Sequence, residues 1–326
     1  MCLSVIMENS DERDYRRWAN GDERKRKIQI LAALNGFGAS AHFVNMMIEI
    51  GVGVRFNMEL PVVSREIRNA TDPDSPLSFQ YYYINAGWVP ITWYVFMIHV
   101  LSFCFHIGIL SFLVHDLLAD SGMADWYLKG IFRCRAPWRW AEYTLSASLQ
   151  MYVMALTMGI RDVQLLLAVT ILCATTITFG WVCEICSSRM IVTDEKNNKK
   201  RLWEGEVFGE QWFDRVVWSH AIAYMPYVAM FTIIIDTFYK HRNAMGDAYP
   251  EFMDWIVVLT VLGFTSFGVI QSANQLFRNG PDWYFYGEVG YVVMSFLAKA
   301  QLVLIISFQA LVPGAEFDEQ LGARFT

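Results

Sequence analysis

The chain has 326 residues, of which 55% are hydrophobic and 15% aromatic, with only 18% charged and a mean hydropathy of +0.28. A water-soluble domain of this size has no interior that would hold so much apolar surface, so the lipid bilayer is its natural solvent. The net charge of -6 argues against a nucleic-acid partner.

Residues 1–27 open with a short apolar run and then become densely charged. They lack the long apolar stretch and small-residue cleavage site of a signal peptide, and read as a cytoplasmic tail. Beyond them, apolar segments separated by polar or Gly/Pro-bearing breaks predict transmembrane helices over 28–53, 89–118, 136–159, 163–187, 208–239, 251–277 and 283–312. The expected fold is an all-α, seven-helix membrane bundle forming one domain over 28–312, with an outer C-terminal tail at 313–326. The longest outer loop, 54–88, joins the first two spans. Within it, 58–67 has the alternation and β-branched residues of a short hairpin, suited to covering the outer face or pairing two protomers in a homodimer. Asn69-Ala-Thr71 matches a glycosylation sequon on that side, a pattern common by chance. Of six cysteines, Cys104, Cys173, Cys183 and Cys186 lie in apolar segments without paired metal spacing, which argues against a disulfide framework or zinc site.

Lys and Arg set the expected orientation, because cytoplasmic flanks are enriched in them. With the N-terminus inside, the inner segments hold seven before the first span, four between the second and third, five between the fourth and fifth, and Arg278. The outer segments hold Arg55, Arg65, Arg68, Arg161, Lys240, Arg242 and Arg324. The N-terminus is therefore expected inside and the C-terminus outside, in a multi-pass protein of the cell membrane.

The intramembrane charges carry the chemistry. In the third span Arg139 and Glu142 stand at i and i+3, with Ser146 four residues further, on one face. Lys299 sits deep in the last span, where a charge costs several kcal/mol on insertion scales. From the lysine alone two readings stand level: an ion pair holding helices together, or an amine kept available for Schiff-base chemistry with an aldehyde. Glu142 is the best-placed counterion for a cation there.

Arg139-Trp-x-Glu142-Tyr143-x-x-Ser146-Ala and Ser295-x-x-x-Lys299 resemble the heliorhodopsins across essentially all seven spans. The resemblance implies retinal, all-trans in the dark, attached to Lys299, with Glu142 as counterion and Arg139 one turn before it. It also sets Ser295 where most microbial rhodopsins have a second aspartate. It implies that Tyr143 packs along the polyene. Phe264 and Phe267 with Tyr224 and Met225 are expected as further walls of the pocket, against plain helix packing as the alternative. His42 and His115 resemble the family's histidine pair on the cytoplasmic side of the lysine, while His99 and His106 share the opposite face of the second span and are expected to be packing or outer-side groups. Glu288, on one face with Tyr291, Ser295 and Lys299, is a candidate proton-relay residue.

The function this implies is a non-enzymatic sensory photoreceptor with a slow photocycle, felt by a cytoplasmic signalling partner. Val153 stands where bacteriorhodopsin-like pumps usually hold a carboxylic proton donor. A light-driven or light-gated proton transporter is the alternative, kept open by Glu49, Glu184, Asp214, Asp236, Asp254 and Glu288 in or near spans. A retinal-free receptor or transporter, with Lys299 in an ion pair only, is the third.

Overall fold

The computed structural model describes residues 12–55, 59–69, 79–188, 191–193, 199–201, 216–246, 252–276 and 280–311. In chain order they form α1 (Gly21–Arg55), β1 (Glu59–Asn69), β2 (Phe79–Pro90), α2 (Ile91–Ala119), α3 (Asp125–Phe132), α4 (Pro137–Thr157) and α5 (Val163–Ser188). There follow β3 (Ile191–Thr193), β4 (Lys199–Arg201), α6 (Trp218–Met245), α7 (Phe252–Leu276) and α8 (Gly280–Leu311). Of the eight helices named, all but α3 have at least 21 residues, which at about 1.5 Å per residue is roughly the 30 Å of a hydrocarbon core. They cover the seven segments expected to be helical. The expected start of the fifth, at 208, lies outside the described residues, as do the C-terminal tail and Thr71 of the sequon.

Four of these helices, α2, α5, α6 and α7, are long and apolar enough to cross a membrane on length and composition alone. The other three, α1, α4 and α8, bring His42, Glu142 and Lys299 into the interior. Neighbouring helices pack in the order α1, α2, α4, α5, α6, and α8 lies against both α7 and α1. Large apolar side chains also face outward, including Phe37, Phe43, Val44 and Met47 on α1 and Leu167 and Ile171 on α5. Apolar groups on both sides of a helix suit lipid on one side and protein on the other.

The hairpin in the first long loop is larger than the 58–67 expectation. β1 and β2 pair antiparallel from Glu59 opposite Pro90 to Asn69 opposite Phe79, with a bulge between Val62 and Val63. The bulge turns Val62 into the core, where it packs with Val89 and Ile160, and frees the Val63 N–H to donate to the Arg161 carbonyl at 2.9 Å. Arg65 pairs with Asp162. Asp162 Oδ1 accepts from the Gln164 and Leu165 N–H groups at 2.9 and 3.0 Å, as an N-cap does. The short turn between α4 and α5 thus anchors the hairpin and starts a helix.

At the opposite end, residues 12–18, expected as tail, are helical and pack on the bundle. Tyr15 and Trp18 meet Phe132 of α3 with ring centres 5.8 and 5.6 Å apart. Tyr15 donates to Asp125 at 2.9 Å, and burial pushes its pKa up, which keeps the hydroxyl a donor. The Lys129 ammonium, 3.1 Å away, holds the Glu12 carboxyl below its ordinary range. Arg24 joins Asp116 at 2.6 Å and Asp125 at 2.9 Å. The small β3–β4 hairpin and α3 occupy connections that sequence patterning leaves as loops.

Candidate functional site: a buried lysine at the end of an aromatic slot

Lys299 on α8 and Glu142 on α4 are 2% and 5% exposed. The Lys299 ammonium donates to Glu142 Oε1 at 2.5 Å and to Ser102 Oγ, on α2, at 2.6 Å. Ser102 in turn donates to Glu142 Oε1 at 2.8 Å. Three helices thus converge on one ion pair. Opposite charges this close gain about 4 kcal/mol at an effective dielectric of 20, and the serine supports the carboxylate. The amine also lies 5.5 Å from the Tyr143 ring centre.

From Lys299 a slot runs between α4, α5, α6, α7 and α8, lined by Trp140, Tyr143, Phe264, Phe267, Tyr224, Tyr227 and Tyr291, with Ser295 and Ala298 beside the lysine. The space between these side chains, its mouth included, is about 860 Å³. Tyr143 and Phe267 stand edge to face at 5.3 Å, and the Tyr143 hydroxyl donates to the Tyr291 carbonyl at 3.0 Å. Gly180 is required here, since a Cβ would come within 2.8 Å of the Trp140 ring. Met225, expected as a wall, instead faces outward at 69% exposure: its position on α6 is turned away from the slot that His220, Ala223, Tyr224 and Tyr227 line. Ser146 is buried beside the site without lining the slot, and Ser295 lines it.

Arg139 does not pair with Glu142. It bridges Glu184 on α5, at 2.8 Å, and Glu288 on α8, with its guanidinium 3.9 Å from the Tyr291 ring centre. Glu184 also accepts from the Ala136 N–H at 2.6 Å, and from Trp140 and Tyr284 at 2.8 Å each. Tyr127 of α3 donates to Glu288 at 3.1 Å. Removing the arginine would leave two buried carboxylates without a cation. Arg139→Gln should therefore destabilise the protein by about 3–5 kcal/mol, seen as a lower Tm of the detergent-purified chain. Adding Glu184→Gln and Glu288→Gln should recover part of the loss, and an unchanged Tm in Arg139→Gln would contradict this account of the cluster.

His42 finds a different partner from the one expected. His115 is exposed near the N-terminal-segment end of the bundle and contacts Ser121 at 3.0 Å. His99 and His106 carry the face of α2 turned toward α1. His42 Nδ1 lies 2.9 Å from His99 Nδ1, its ring stacks on His106 at 5.5 Å, and His106 Nδ1 contacts Asn35 at 2.9 Å. The helical spacing of His99, Ser102 and His106 marks a common polar stripe. Its direction depends on how α2 is rotated against α1, which spacing alone leaves open. Ser102 escapes sequence reasoning for the same reason: a lone serine in an apolar span is ordinary until its face is known.

A profile of the heliorhodopsin family matches residues 34–311. A search of curated proteins finds no match. Among solved structures, the crystal structure of a thermophilic rhodopsin superposes with a TM-score of 0.54 at 10% identity, over 88% of this chain and 96% of that one. At that identity the likeness speaks to the fold. The family match covers most of the chain, and the chain belongs to the heliorhodopsin family of retinal-binding, light-responsive membrane proteins.

Proposed function

We propose that this protein is a sensory photoreceptor of the cell membrane that carries retinal as a protonated Schiff base on Lys299, with Glu142 as counterion. The single observation that supports this most is the Lys299–Glu142–Ser102 contact at the end of the aromatic slot. A long, flat, apolar aldehyde fits such a slot: rings line its length and it ends on an amine. When bound, retinal, all-trans in the dark, supplies a conjugated chain that absorbs visible light and isomerises.

This chain's residues supply the rest. Glu142 neutralises a cationic nitrogen at Lys299, and Ser102 steadies the carboxylate. Tyr143, Phe264 and Phe267 exclude water from the slot. Since His42 and His99 face each other through Nδ1, one donates and the other accepts, leaving one Nε2 bare to take up a proton. Arg139 and Glu288 tie α4 to α8 on the N-terminal side of the lysine, so a change at Lys299 is felt by the helix ends there. With the N-terminus inside, that end faces the cytoplasm, where a signalling partner would read it. Pairing of two protomers through the β1–β2 hairpin belongs to the same proposal, supported by exposed Tyr83 and Trp88 on β2.

A proton transporter is the second reading, favoured by the buried Glu49 on the hairpin side of the bundle. Against it, the core on the α4 side of that path is apolar, with Val95, Ile98, Met151, Met154, Leu156 and Leu302, and the buried polar groups toward the hairpin are confined to the α1–α2 face that ends at Glu49. Patch-clamp recording under illumination, across voltages and pH gradients, should show no sustained current. A sustained photocurrent that follows the proton gradient and is lost in Glu142→Gln would overturn the sensor.

A further inference from the structure

A seam of buried polar atoms runs between α1 and α2 from the Lys299–Glu142 pair toward the hairpin. Ser102 touches the lysine, and His99, about one turn along α2, meets His42 of α1 at 2.9 Å. On α1, His42, Asn45 and Glu49 follow one another at three and four residues, on one face. On α2, His99 and Thr92 are seven residues apart, as His42 and Glu49 are on α1. The two helices run antiparallel, with Phe43 against Phe103 and Gly38 against His106. That register brings Glu49 level with Thr92, two turns or about 10 Å beyond the histidines.

Glu49 is 2% exposed, and neither of its carboxylate oxygens has a partner among the described residues. The seam around it is unpartnered too: Asn45 Nδ2, Thr92 Oγ1 and the Nε2 atoms of His42 and His99 make no hydrogen bond to the described residues. Among the described residues, the helices packed on α1 here offer no free cation. α2 contains no lysine or arginine, its titratable groups nearest to Thr92 being Tyr94 and His99; α8 offers only Lys299 as a cation, committed to Glu142, and 303–311 hold no titratable residue. An ionised carboxylate without hydrogen bonds or counter-charge in such surroundings costs several kcal/mol, and binding a proton removes that cost.

We propose that Glu49 is a proton-binding site, a neutral carboxylic acid ending the α1–α2 seam, which exchanges its proton with the His42–His99 pair. In the exchange the Glu49 O–H bond breaks and an N–H bond forms at the bare Nε2, the proton being relayed over that distance by water molecules entering the seam, which leaves a carboxylate and an imidazolium; return of the proton reverses both. The resting assignment concerns the chain with or without retinal, so it stands or falls separately from attachment at Lys299.

Infrared spectroscopy of the full chain tests it. Retinal-free protein in the dark should show a deuterium-sensitive carboxylic-acid C=O stretch that is lost in Glu49→Gln, shifted in Glu49→Asp and kept in Lys299→Ala. In the retinal-loaded protein, illumination should deplete that band in the wild type and leave it unchanged in His42→Phe/His99→Phe. A dark spectrum identical in wild type and Glu49→Gln would show an ionised Glu49 and overturn the site. Loss of the band on adding sodium chloride would overturn it in favour of a cation. A band that stays constant under light, while the visible absorption changes, would overturn the exchange with the histidines.

Discussion

Lys299→Ala is expected to abolish the visible pigment completely when the protein is supplied with all-trans retinal. The chain has eight lysines, and Lys299 alone lies deep in a span. Lys27, the other buried one among the described residues, sits at the N-terminal-segment end, 3.8 Å over the Trp18 ring and 3.2 Å from Asp282. Truncating Lys299 strands Glu142 in the core with Ser102 as its hydrogen-bond partner, which itself destabilises the fold. Lys299→Ala/Glu142→Gln removes that stranded charge and separates loss of attachment from loss of folding. Both variants should stay colourless while the double variant purifies as a folded protein. A visible band of wild-type intensity in either would end the assignment.

Glu142→Gln should shift the absorption maximum to the red and weaken proton binding at the Lys299 nitrogen about a thousandfold, the equivalent of roughly 4 kcal/mol of lost attraction. The sign follows from charge. The carboxylate stabilises the protonated nitrogen and holds its positive charge near Lys299. Without it the charge spreads along the conjugated chain, which lowers the excitation energy, and the proton is held only at lower pH. In the variant the red-shifted band should therefore give way to near-ultraviolet absorption as the pH rises through a value well below that of the wild type, and return on acidification. Matching spectra and titrations in the two proteins would move the counterion away from Glu142.

Much of this architecture is legible in the sequence, and the reason is physical. Hydropathy reports the solvent, so the apolar segments show where the long helices run: the expected ends lie within three residues of those of α2, α4, α5, α7 and α8, while α1 starts seven residues before the expected 28. Lys299 and Glu142 announce themselves because a charge inside an apolar run needs an explanation. What escapes is rotation and register. Met225 and Tyr224 are neighbours on α6, yet one faces out and the other lines the slot, and only packing decides which. The partner of His42 is His99 because of how α1 and α2 mesh. Arg139 meets Glu184 across 45 residues and Glu288 across 149, while the adjacent Glu142 turns to Lys299. Residues 12–18 mix charges with Tyr15 and Trp18, a composition that reads as tail until Phe132 of α3 offers them a surface. The run Phe-Gln-Tyr-Tyr-Tyr-Ile at 79–84 has the aromatic content of a strand, and it pairs with β1 to make the hairpin longer than the 58–67 pattern implies.

The most direct measurement is chemical. Borohydride reduction of the retinal-loaded protein fixes the bond to nitrogen as a stable secondary amine, and peptide mass spectrometry then locates it. The retinyl mass should appear on the peptide containing Lys299 and on no other lysine-bearing peptide. Its appearance on Lys27, Lys129 or Lys240 with Lys299 unmodified, or a visible pigment with no retinyl adduct at all, would contradict the account.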